Sequence, residues 1–346
     1  MSEKETVLIT GSQGFIGTYL CKEFLERGYN VIGIDNYSKY GPVKRPHDNH
    51  PNFQLIVEDV CFLEHWNHSQ WHEALSKVNY IIAGAAMIGG ISYFHTFAYE
   101  LLAKNERITA ATFDFAIDLF KRHNLIKIVA ISSSMVFENT RMYPTPEFEA
   151  KYCPSPSSTY GFQKLAVEYF AQGAHEQYGL PYTIVRPFNC VGAGEDEAIT
   201  GEEVLSGNVK LMMSHVLPDL IHKIMEGQDP LHILGDGSQV RCYTNGKDIA
   251  RGIRIATEHP DAENEDFNIS TPRSTNVLEL AEIIWKKLNP GKKFRYVSDD
   301  PFTYDVQKRI PDVSKAESVL NFRTEIDLEE SVDEVIEYMR RTHGKA

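Results

Sequence analysis

The stretch that most constrains the fold lies near the start of the chain, where a short apolar run leads directly into a glycine-rich segment. Residues 7–10 are apolar or β-branched, and Gly11, Gly14 and Gly17 follow at a GxxGxxG spacing. A helical pattern over residues 19–27 comes next. A strand, a glycine-rich turn and a helix in this order predict the start of a βαβ unit, whose helix N-terminus offers backbone N–H groups to a phosphate.

The glycines and a downstream carboxylate together indicate which phosphate-containing ligand the turn binds. Gly11 permits a tight turn, Gly14 lets a pyrophosphate approach the backbone, and Gly17 lets the helix pack closely on the strand. A second predicted strand, residues 30–34, is followed directly by Asp35. A carboxylate at this point accepts hydrogen bonds from an adenosine ribose and repels a 2′-phosphate, so the pattern predicts an NAD site.

The first half of the chain alternates short apolar runs with helical patterns. Strands are predicted at residues 6–10, 30–35, 53–58, 80–83, 126–132 and 182–186, and long helices at residues 101–122 and 160–178. Short, nearly continuous apolar runs are typical of parallel strands that are buried on both faces. The alternation predicts an α/β fold with a doubly wound parallel sheet of the Rossmann type.

The composition and periodicity of the sequence change after Pro187. Residues 189–208 are rich in Gly, Glu and Asp and lack periodicity, which predicts a loop, and short elements separated by turn signals follow. We therefore expect residues 1–187 to form an NAD-binding domain and residues 188–346 to form mainly a smaller α/β substrate-binding cap. Residues 240–260 are expected to return to the first domain.

Composition excludes several classes of function. The 346 residues carry a net charge of −13, which argues against a nucleic-acid partner and means that an anionic substrate needs local arginines. The five cysteines form no CxxC pair and indicate reduced thiols in a cytoplasmic protein. The sequence shows neither a membrane-spanning run nor an HExxH-type spacing, so we expect no membrane partner and no metal site.

Two further patterns indicate chemistry at the carboxyl edge of the predicted sheet. The fifth strand ends in Ser132, Ser133 and Ser134, which would lie beside a bound nicotinamide. Tyr160 and Lys164 open a long helix and share one of its faces, so the charge of Lys164 is expected to lower the pKa of Tyr160. A tyrosine tuned in this way can take the proton of a substrate hydroxyl while hydride leaves the same carbon. Three other Tyr-x-x-x-Lys pairs occur, but only this one follows the serine-ended strand.

The motifs as a set resemble the extended short-chain dehydrogenase/reductase family, and within it the nucleotide-sugar epimerase/dehydratase branch. The resemblance runs from about residue 6 to residue 340, with the motifs in the family's order. It rests on the glycine-rich segment 11–17, Asp35, Asp59-Val60, Ser132-Ser133-Ser134, Tyr160 with Lys164, and Arg186-Pro187-Phe188-Asn189. The resemblance implies NAD as cofactor and a nucleotide-diphosphate sugar as substrate. It also implies a homodimer, because the two long helices of such proteins pair across a two-fold axis.

The resemblance assigns roles by position. Ser133, Tyr160 and Lys164 are the implied catalytic residues, with Tyr160 as the acid/base and Lys164 on the nicotinamide ribose. The residues implied to contact NAD are Gly11, Gln13, Gly14, Phe15, Ile16, Gly17, Asp35, Asn36, Asp59, Val60, Ala83, Ala85, Asn105, Ser132, Tyr160, Lys164 and Pro187. The residues implied to contact the substrate are Ser133, Ser134, Asn189, His215, Arg241 and Arg309, of which Asn189 and the two arginines would bind the diphosphate.

Departures from the branch narrow the expected reaction. Sugar 4,6-dehydratases place an Asp-Glu pair where this chain has Ser134 and Met135, and decarboxylases carry a Glu at the Met135 position. The 3,5-epimerases have a Cys there, and a Met thioether cannot deliver a proton. We therefore expect epimerisation at C4 through a transient 4-keto sugar. The alternatives are a C4 dehydrogenase or ketoreductase, a 4,6-dehydratase or 3,5-epimerase of the same branch, and a non-catalytic NAD-binding protein.

Two details do not fit this expectation directly. Residues 86–91 and 214–218 resemble segments of GDP-fucose synthase, in which the matching His acts as an acid in epimerisation, so His215 is a candidate for either catalysis or substrate binding. Phe137-Glu138 also stands where the branch usually has an aromatic residue followed by Gly.

Overall fold

The computed structural model describes residues 4–88, 97–122, 124–195, 205–206, 209–210, 215–300 and 306–343. The strands are β1 Thr6–Thr10, β2 Asn30–Asp35, β3 Phe53–Val57, β4 Tyr80–Ala83, β5 Lys127–Ile131, β6 Tyr182–Pro187, β7 Cys190–Val191, β8 Leu205–Ser206, β9 Val209–Lys210, β10 Leu231–Leu234, β11 Val240–Arg241, β12 Thr244–Asn245, β13 Glu265–Ile269, β14 Thr275–Asn276 and β15 Tyr296–Asp299. The α-helices are α1 Phe15–Glu26, α2 His72–Leu75, α3 Ala98–Lys121, α4 Thr159–Tyr178, α5 Val216–Met225, α6 Gly246–Glu258, α7 Val277–Leu288, α8 Ser314–Leu320 and α9 Leu328–His343.

A seven-stranded parallel sheet in the order β13-β6-β5-β4-β1-β2-β3 forms the centre of the molecule. Every residue of β1 and β5 is buried, as expected for strands covered on both faces. Successive side chains of β1 enter opposite cores, with Val7 and Ile9 on one side and Leu8 on the other. The predicted α/β fold with a Rossmann-type parallel sheet is confirmed.

Helices cover both faces of this sheet. On one face α1 and α6 pack together, and Leu20 and Phe24 of α1 share a buried core with Ile249 and Ile253 of α6. On the other face α3 and α4 pack against each other. A separate buried core joins α5, α7 and α9 around Trp285.

The structure differs from the predicted elements in three places. The strand β13 was not predicted, because it contains only two apolar residues and is specified by its pairing with β6. Helix α1 begins at Phe15 and not at residue 19, since the glycine-rich segment itself forms the first helical turn. Residues 189–208, predicted as loop, contain β7 and β8, while residues 196–204 and 207–208 lie outside the described part of the chain.

Residues 246–258 form α6 on the same face as α1, and the chain then continues into β13 of the main sheet. The domain boundaries drawn from the sequence remain a prediction. Within the described ranges, no helix has the length and apolar character needed to cross a membrane. Those ranges also hold no cluster of three or more His, Cys, Asp or Glu side chains suited to a metal ion.

Candidate functional site

The glycine-rich turn between β1 and α1 is so tight that Gly17 leaves no room for a side chain. A Cβ on Gly17 would lie 2.0 Å from the carbonyl oxygen of Gly11, and one on Gly14 would lie 3.1 Å from the same oxygen. Gly11 has a φ of 76°, in the left-handed region. The turn therefore fits a dinucleotide phosphate, which requires close backbone approach at the start of a helix.

Asp35 stands at the end of β2, directly beside this turn. Its carboxylate accepts hydrogen bonds from the backbone N–H of Gln13 at 3.0 Å and of Tyr37 at 2.8 Å. Burial raises the pKa of Asp35, and the two N–H donors oppose that effect. The side chain of Gln13 turns away and donates to Asp48, so only the backbone of Gln13 lies toward the turn. This arrangement fits recognition of an adenosine ribose by Asp35.

Ser133 and Tyr160 meet at the carboxyl end of β5. Ser133 precedes the short 3₁₀ helix Ser134–Phe137, accepts a hydrogen bond from the N–H of Met135 at 3.2 Å, and hydrogen-bonds the phenol of Tyr160. Burial raises the pKa of Tyr160, while the Ser133 hydrogen bond and the charge of Arg309 act to lower it. The structure thus brings together Ser133 and Tyr160, two of the three implied catalytic residues.

Lys164 lies one helical turn after Tyr160 on the same helix. Its ammonium donates a hydrogen bond of 2.9 Å to the carbonyl oxygen of Ile131 at the end of β5. Burial lowers the pKa of Lys164 to about 8. The effect of the Lys164 charge on the pKa of Tyr160 stays a prediction. Arg309 supplies a positive charge that acts to lower this pKa.

Arg241 and Arg309 are brought together by backbone pairing between β11 and the segment 306–310. The N–H of Val240 donates to Gln307 at 2.9 Å, and the N–H of Arg309 donates to Val240 at 3.1 Å. The Arg241 guanidinium donates to the Val240 carbonyl at 2.9 Å. Val306, in the same segment, packs against the cluster that contains Tyr160. Arg309 thus acts on the tyrosine, and Arg241 lies on the strand beside its segment, in a chain whose net charge is −13.

Comparison with known proteins identifies the family. A sequence model of the NAD dependent epimerase/dehydratase family matches residues 7–270. The chain belongs to this family. It is 26% identical over 343 residues to a putative UDP-glucose 4-epimerase from Methanocaldococcus jannaschii, covering 97% of this chain and 99% of that protein.

Two further comparisons show how broad the family is at this level of similarity. The chain is 26% identical over 345 residues to a UDP-N-acetyl-α-D-glucosaminuronate decarboxylase from Bacillus cytotoxicus, covering 97% of this chain and 98% of that one. Among solved structures, the UDP-glucose 4-epimerase of Thermotoga maritima with UDP-glucose superimposes with a TM-score of 0.81 at 28% identity, covering 98% and 99% of the two chains. The predicted family and its NAD cofactor are confirmed; the exact reaction is not decided by these relatives.

Asp59, one of the residues expected to contact NAD, lies in a cluster with Asn36 and Lys104. Asp59 caps the 3₁₀ helix that begins at Val60, and its carboxylate accepts from Asn36 at 3.2 Å and from the Lys104 ammonium at 2.6 Å. Burial opposes ionisation of Asp59, but the Lys104 hydrogen bond and the N–H of Cys61 outweigh it and lower the pKa to about 2. Sequence reasoning missed Lys104, and its only local signal is its place beside Asn105.

Asn105 holds the backbone of the segment that follows β4 by hydrogen bonds. Its side-chain amide accepts from the N–H of Met87 at 2.6 Å and donates to the Met87 carbonyl at 2.9 Å. The N–H groups of Gly84 and Ala85, just after Ala83, donate to the Thr10 hydroxyl at 3.1 and 3.0 Å. The Asn105 amide therefore supports the backbone beside the glycine-rich turn.

Ser132, predicted to contact NAD, directs its hydroxyl elsewhere. Its Oγ donates to the Glu168 carboxylate at 2.5 Å, inside the protein. The hydroxyl is thus engaged by helix α4, and any contact of Ser132 with the cofactor falls to its backbone. Ser134, by contrast, begins the short 3₁₀ helix and is buried.

Asn189 follows Pro187 at the end of β6 and has a φ of 36°. Its side-chain oxygen is buried and has no hydrogen-bond partner among the residues that the structure describes. His215 precedes α5, and its Nδ1 lies 2.5 Å from the buried Glu195 carboxylate. The structure therefore pairs His215 with Glu195, and its assignment to catalysis or substrate binding stays a prediction. Residues 89–91 and 214 of the segments that pointed to His215 lie outside the described residues.

Glu138, which stands where the branch usually has Gly, contacts the N-terminus of α4. Its carboxylate accepts from the N–H and the hydroxyl of Ser158 at 3.1 and 2.7 Å, at the N-terminus of α4. A Cβ on Gly161 would lie 2.8 Å from the same carboxylate. A negative charge at this end of a helix stabilises it, so Glu138 supports the helix that carries Tyr160.

Proposed function

We propose that this chain is an NAD-dependent nucleotide-sugar epimerase that inverts C4 through a transient 4-keto sugar. The observation that carries the proposal is the hydrogen bond between Ser133 and Tyr160, with Arg309 acting on the same phenol. A phenol held in this way can remove and return one proton at a sugar hydroxyl. NAD, when bound, supplies hydride acceptance at C4 and hydride return.

The chain's own residues have separate tasks in this reaction. Tyr160 removes the proton of the sugar 4-hydroxyl and later returns it to the new alcohol. Ser133 orients the phenol by its hydrogen bond and would contact the same hydroxyl. Lys164, whose ammonium is held at the end of β5, would bind the nicotinamide ribose. The glycine-rich turn and Asp35 would hold the rest of the dinucleotide.

Substrate anchoring is assigned to Arg241, Arg309 and Asn189. Charge-assisted hydrogen bonds from guanidinium groups are the strong contacts that a diphosphate requires. Because the diphosphate stays bound, the 4-keto sugar can rotate and present its other face before hydride returns. The UDP-sugar epimerases among the relatives support a nucleotide-sugar substrate, with UDP-sugars as the first class to test.

The residues after Ser133 favour inversion at C4 over the other reactions of the family. Ser134 and Met135 occupy the positions that would carry a carboxylate in a dehydratase or decarboxylase, or a thiol in a 3,5-epimerase. Neither side chain is a carboxylate that could act as acid or base at a second carbon, and a Met thioether cannot deliver a proton. His215, held by Glu195, is the first candidate for proton transfer at a second carbon.

We further propose that the chain acts as a cytoplasmic homodimer, paired through α3 and α4. Tyr99 on α3 and Phe162 and Tyr169 on α4 are 76%, 49% and 67% exposed. Aromatic side chains of this size on two packed helices favour burial by a second copy. Light scattering across a concentration range tests the dimer, and a monomeric mass at every concentration would contradict it.

Proton NMR of the purified protein with UDP-, GDP-, dTDP- and CDP-hexoses in deuterium oxide tests the reaction. We expect a C4 epimer without deuterium and without added cofactor. Deuterium at C3 or C5 would contradict the proposal and assign proton transfer at a second carbon, with His215 as the first candidate. Loss of water with deuterium at C6 would contradict it in favour of a dehydratase. A tightly bound NAD that is never reduced by any sugar would favour a binding-only protein.

A further inference from the structure

We infer that Glu168 is a positioning residue of the active site, because one buried carboxylate joins the helix that carries Tyr160 to the strand that leads into Ser133. Glu168 lies on α4, one helical turn after Lys164. Its two oxygens accept hydrogen bonds from Nε and Nη2 of Arg186, both at 2.7 Å. The side chains of Glu168 and Arg186 are only 3% and 2% exposed.

The same carboxylate also binds the end of β5. The Ser132 hydroxyl donates to Glu168 at 2.5 Å and lies 3.3 Å from the Lys164 carbonyl oxygen. Ser132 immediately precedes Ser133, the residue that hydrogen-bonds Tyr160. Glu168 is therefore linked to both partners of that hydrogen bond. It is linked to Ser133 through the neighbouring residue Ser132, and to Tyr160 through helix α4.

Arg186 fixes this carboxylate in the body of the protein. Its Nη1 lies 2.8 Å from the Asp266 carboxylate on β13 and 3.4 Å from the backbone oxygen of Glu147. Its guanidinium also stands 5.1 Å from the centre of the Phe137 ring, in the 3₁₀ helix after Ser133. A bidentate guanidinium–carboxylate pair held at this many points has one geometry, so it fixes α4 against β6, the neighbour of β5 in the sheet. The Ser132 hydrogen bond then fixes the end of β5 to the same carboxylate.

Through these contacts Glu168 controls how α4, which carries Tyr160, is placed against β5. Small errors in the placement of reacting groups, of about 1 Å, can cost roughly 100-fold in rate. If α4 shifts against β5, the Ser133–Tyr160 hydrogen bond and the Lys164 contact with Ile131 change together. The ionisation of Tyr160 and the rate of the chemical step should then change, while the diphosphate contacts of Arg241 and Arg309 remain.

Three variants test whether Glu168 positions Tyr160 or only stabilises the folded protein. Ser132→Ala removes only the hydroxyl that links β5 to Glu168, and Glu168→Gln removes the charge. Glu23→Gln is the matched control, since Glu23 forms an ion pair of 2.6 Å with Arg254, which is 8% exposed and joins α1 to α6 away from Tyr160. Each NAD-loaded protein is labelled with ¹³Cζ-tyrosine, and the pH titration of the Tyr160 signal, assigned with Tyr160→Phe, is followed by NMR.

We expect Ser132→Ala and Glu168→Gln to move the Tyr160 titration midpoint by about 0.5 pH unit or more, and Glu23→Gln to leave it in place. The double variant of Ser132 and Glu168 should move it no further than Glu168→Gln alone. An unchanged midpoint in Ser132→Ala overturns the inference, and that variant decides if Glu168→Gln fails to fold. A weaker NAD affinity in Ser132→Ala with an unmoved Tyr160 also overturns it, since Ser132 would then be a cofactor ligand.

A turnover measurement extends the test and rests on the proposed function. With an accepted nucleotide sugar, kcat of Ser132→Ala should fall by about 10-fold with KM within about twofold of wild type. A raised KM with unchanged kcat contradicts the positioning role. If wild type turns over no nucleotide sugar, the proposed function fails, while the Tyr160 titration, which needs no substrate, still decides the inference.

Discussion

Lys164 donates a hydrogen bond of 2.9 Å to the backbone carbonyl of Ile131, and this contact holds a positive charge inside the protein. Burial lowers the pKa of Lys164 to about 8, whereas an unfolded lysine titrates near 10.5. Below pH 8 both states keep the proton, so the folded state bears the full cost of the buried charge. Between pH 8 and about 10.5 the unfolded state binds the proton and the folded state does not, so stability rises with pH there.

Replacing this charge should therefore stabilise the fold and remove activity. Lys164→Met should raise the free energy of unfolding at pH 7 by up to about 3 kcal/mol, the size implied by a shift of this magnitude. It should also remove the gain in stability between pH 8 and 10.5. Urea unfolding of the cofactor-free protein at pH 7 and pH 10 measures both. Lys151→Met, at an exposed position, is the control, and a destabilised Lys164→Met at pH 7 would show that its hydrogen bond outweighs the burial cost.

Tyr160 should carry the proton transfer. Tyr160→Phe keeps the ring and its packing but removes the proton, so turnover should fall by about 10²- to 10⁴-fold with NAD still bound. Initial rates and the NAD content of the purified protein are the two measurements. Tyr178→Phe, exposed at the far end of the same helix, should retain full activity. Wild-type turnover in Tyr160→Phe would remove this tyrosine from the mechanism.

Asp35 should decide between NAD and NADP. Asp35→Asn retains the side-chain size and removes the charge that repels a 2′-phosphate, so the ratio of NADP to NAD affinity should rise by about 10-fold or more. Calorimetric titration of the cofactor-free protein with each dinucleotide measures this ratio. Asp114→Asn, exposed on α3, should leave it unchanged. An unaltered ratio in Asp35→Asn would place the ribose elsewhere.

The sequence predicted the parts of the molecule that local rules specify. The glycine-rich turn, Asp35 and the Tyr160–Lys164 pair each lie in one segment whose spacing limits its conformation. By contrast, β13 was missed because its residues Glu265–Ile269 become a strand only by pairing with β6. Glu138 was noticed only as a mismatch, because its role depends on a contact across the fold.

Local sequence also does not specify the direction in which a polar side chain points. Ser132 and Ser133 are adjacent and were both assigned to the ligand site, yet only Ser133 meets Tyr160, while Ser132 turns to Glu168. Glu168 stands four residues after Lys164, a signal that could have been noticed, but its partner Arg186 lies on another strand. Spacing along a helix shows which residues share a face, and tertiary packing decides what that face contacts.

Arg241 and Arg309 should contribute to binding of the substrate in the ground state as well as in the transition state. Arg241→Met and Arg309→Met should each raise KM for a nucleotide-diphosphate sugar by about 10- to 100-fold, the range for one lost charge-assisted hydrogen bond. Arg309→Met should also lower kcat at neutral pH, because its charge acts to lower the pKa of Tyr160. Steady-state kinetics over pH separate the two effects. Arg340→Met, exposed on α9, is the control, and an unchanged KM in both variants would contradict diphosphate binding at this place.

Glu138 should stabilise the start of the helix that carries Tyr160. Glu138→Ala removes the acceptor for the N–H and the hydroxyl of Ser158 and a negative charge at the helix N-terminus. We expect a loss of about 1 kcal/mol in the free energy of unfolding, as for a lost helix cap. Glu138→Gln should retain most of this stability, because its amide oxygen can still accept, and so separates the hydrogen bonds from the charge. Urea unfolding compares both with Glu176→Ala, an exposed glutamate near the other end of α4. Equal stability of Glu138→Ala and wild type would mean that Ser158 alone caps the helix through its own hydrogen bond to Gly161.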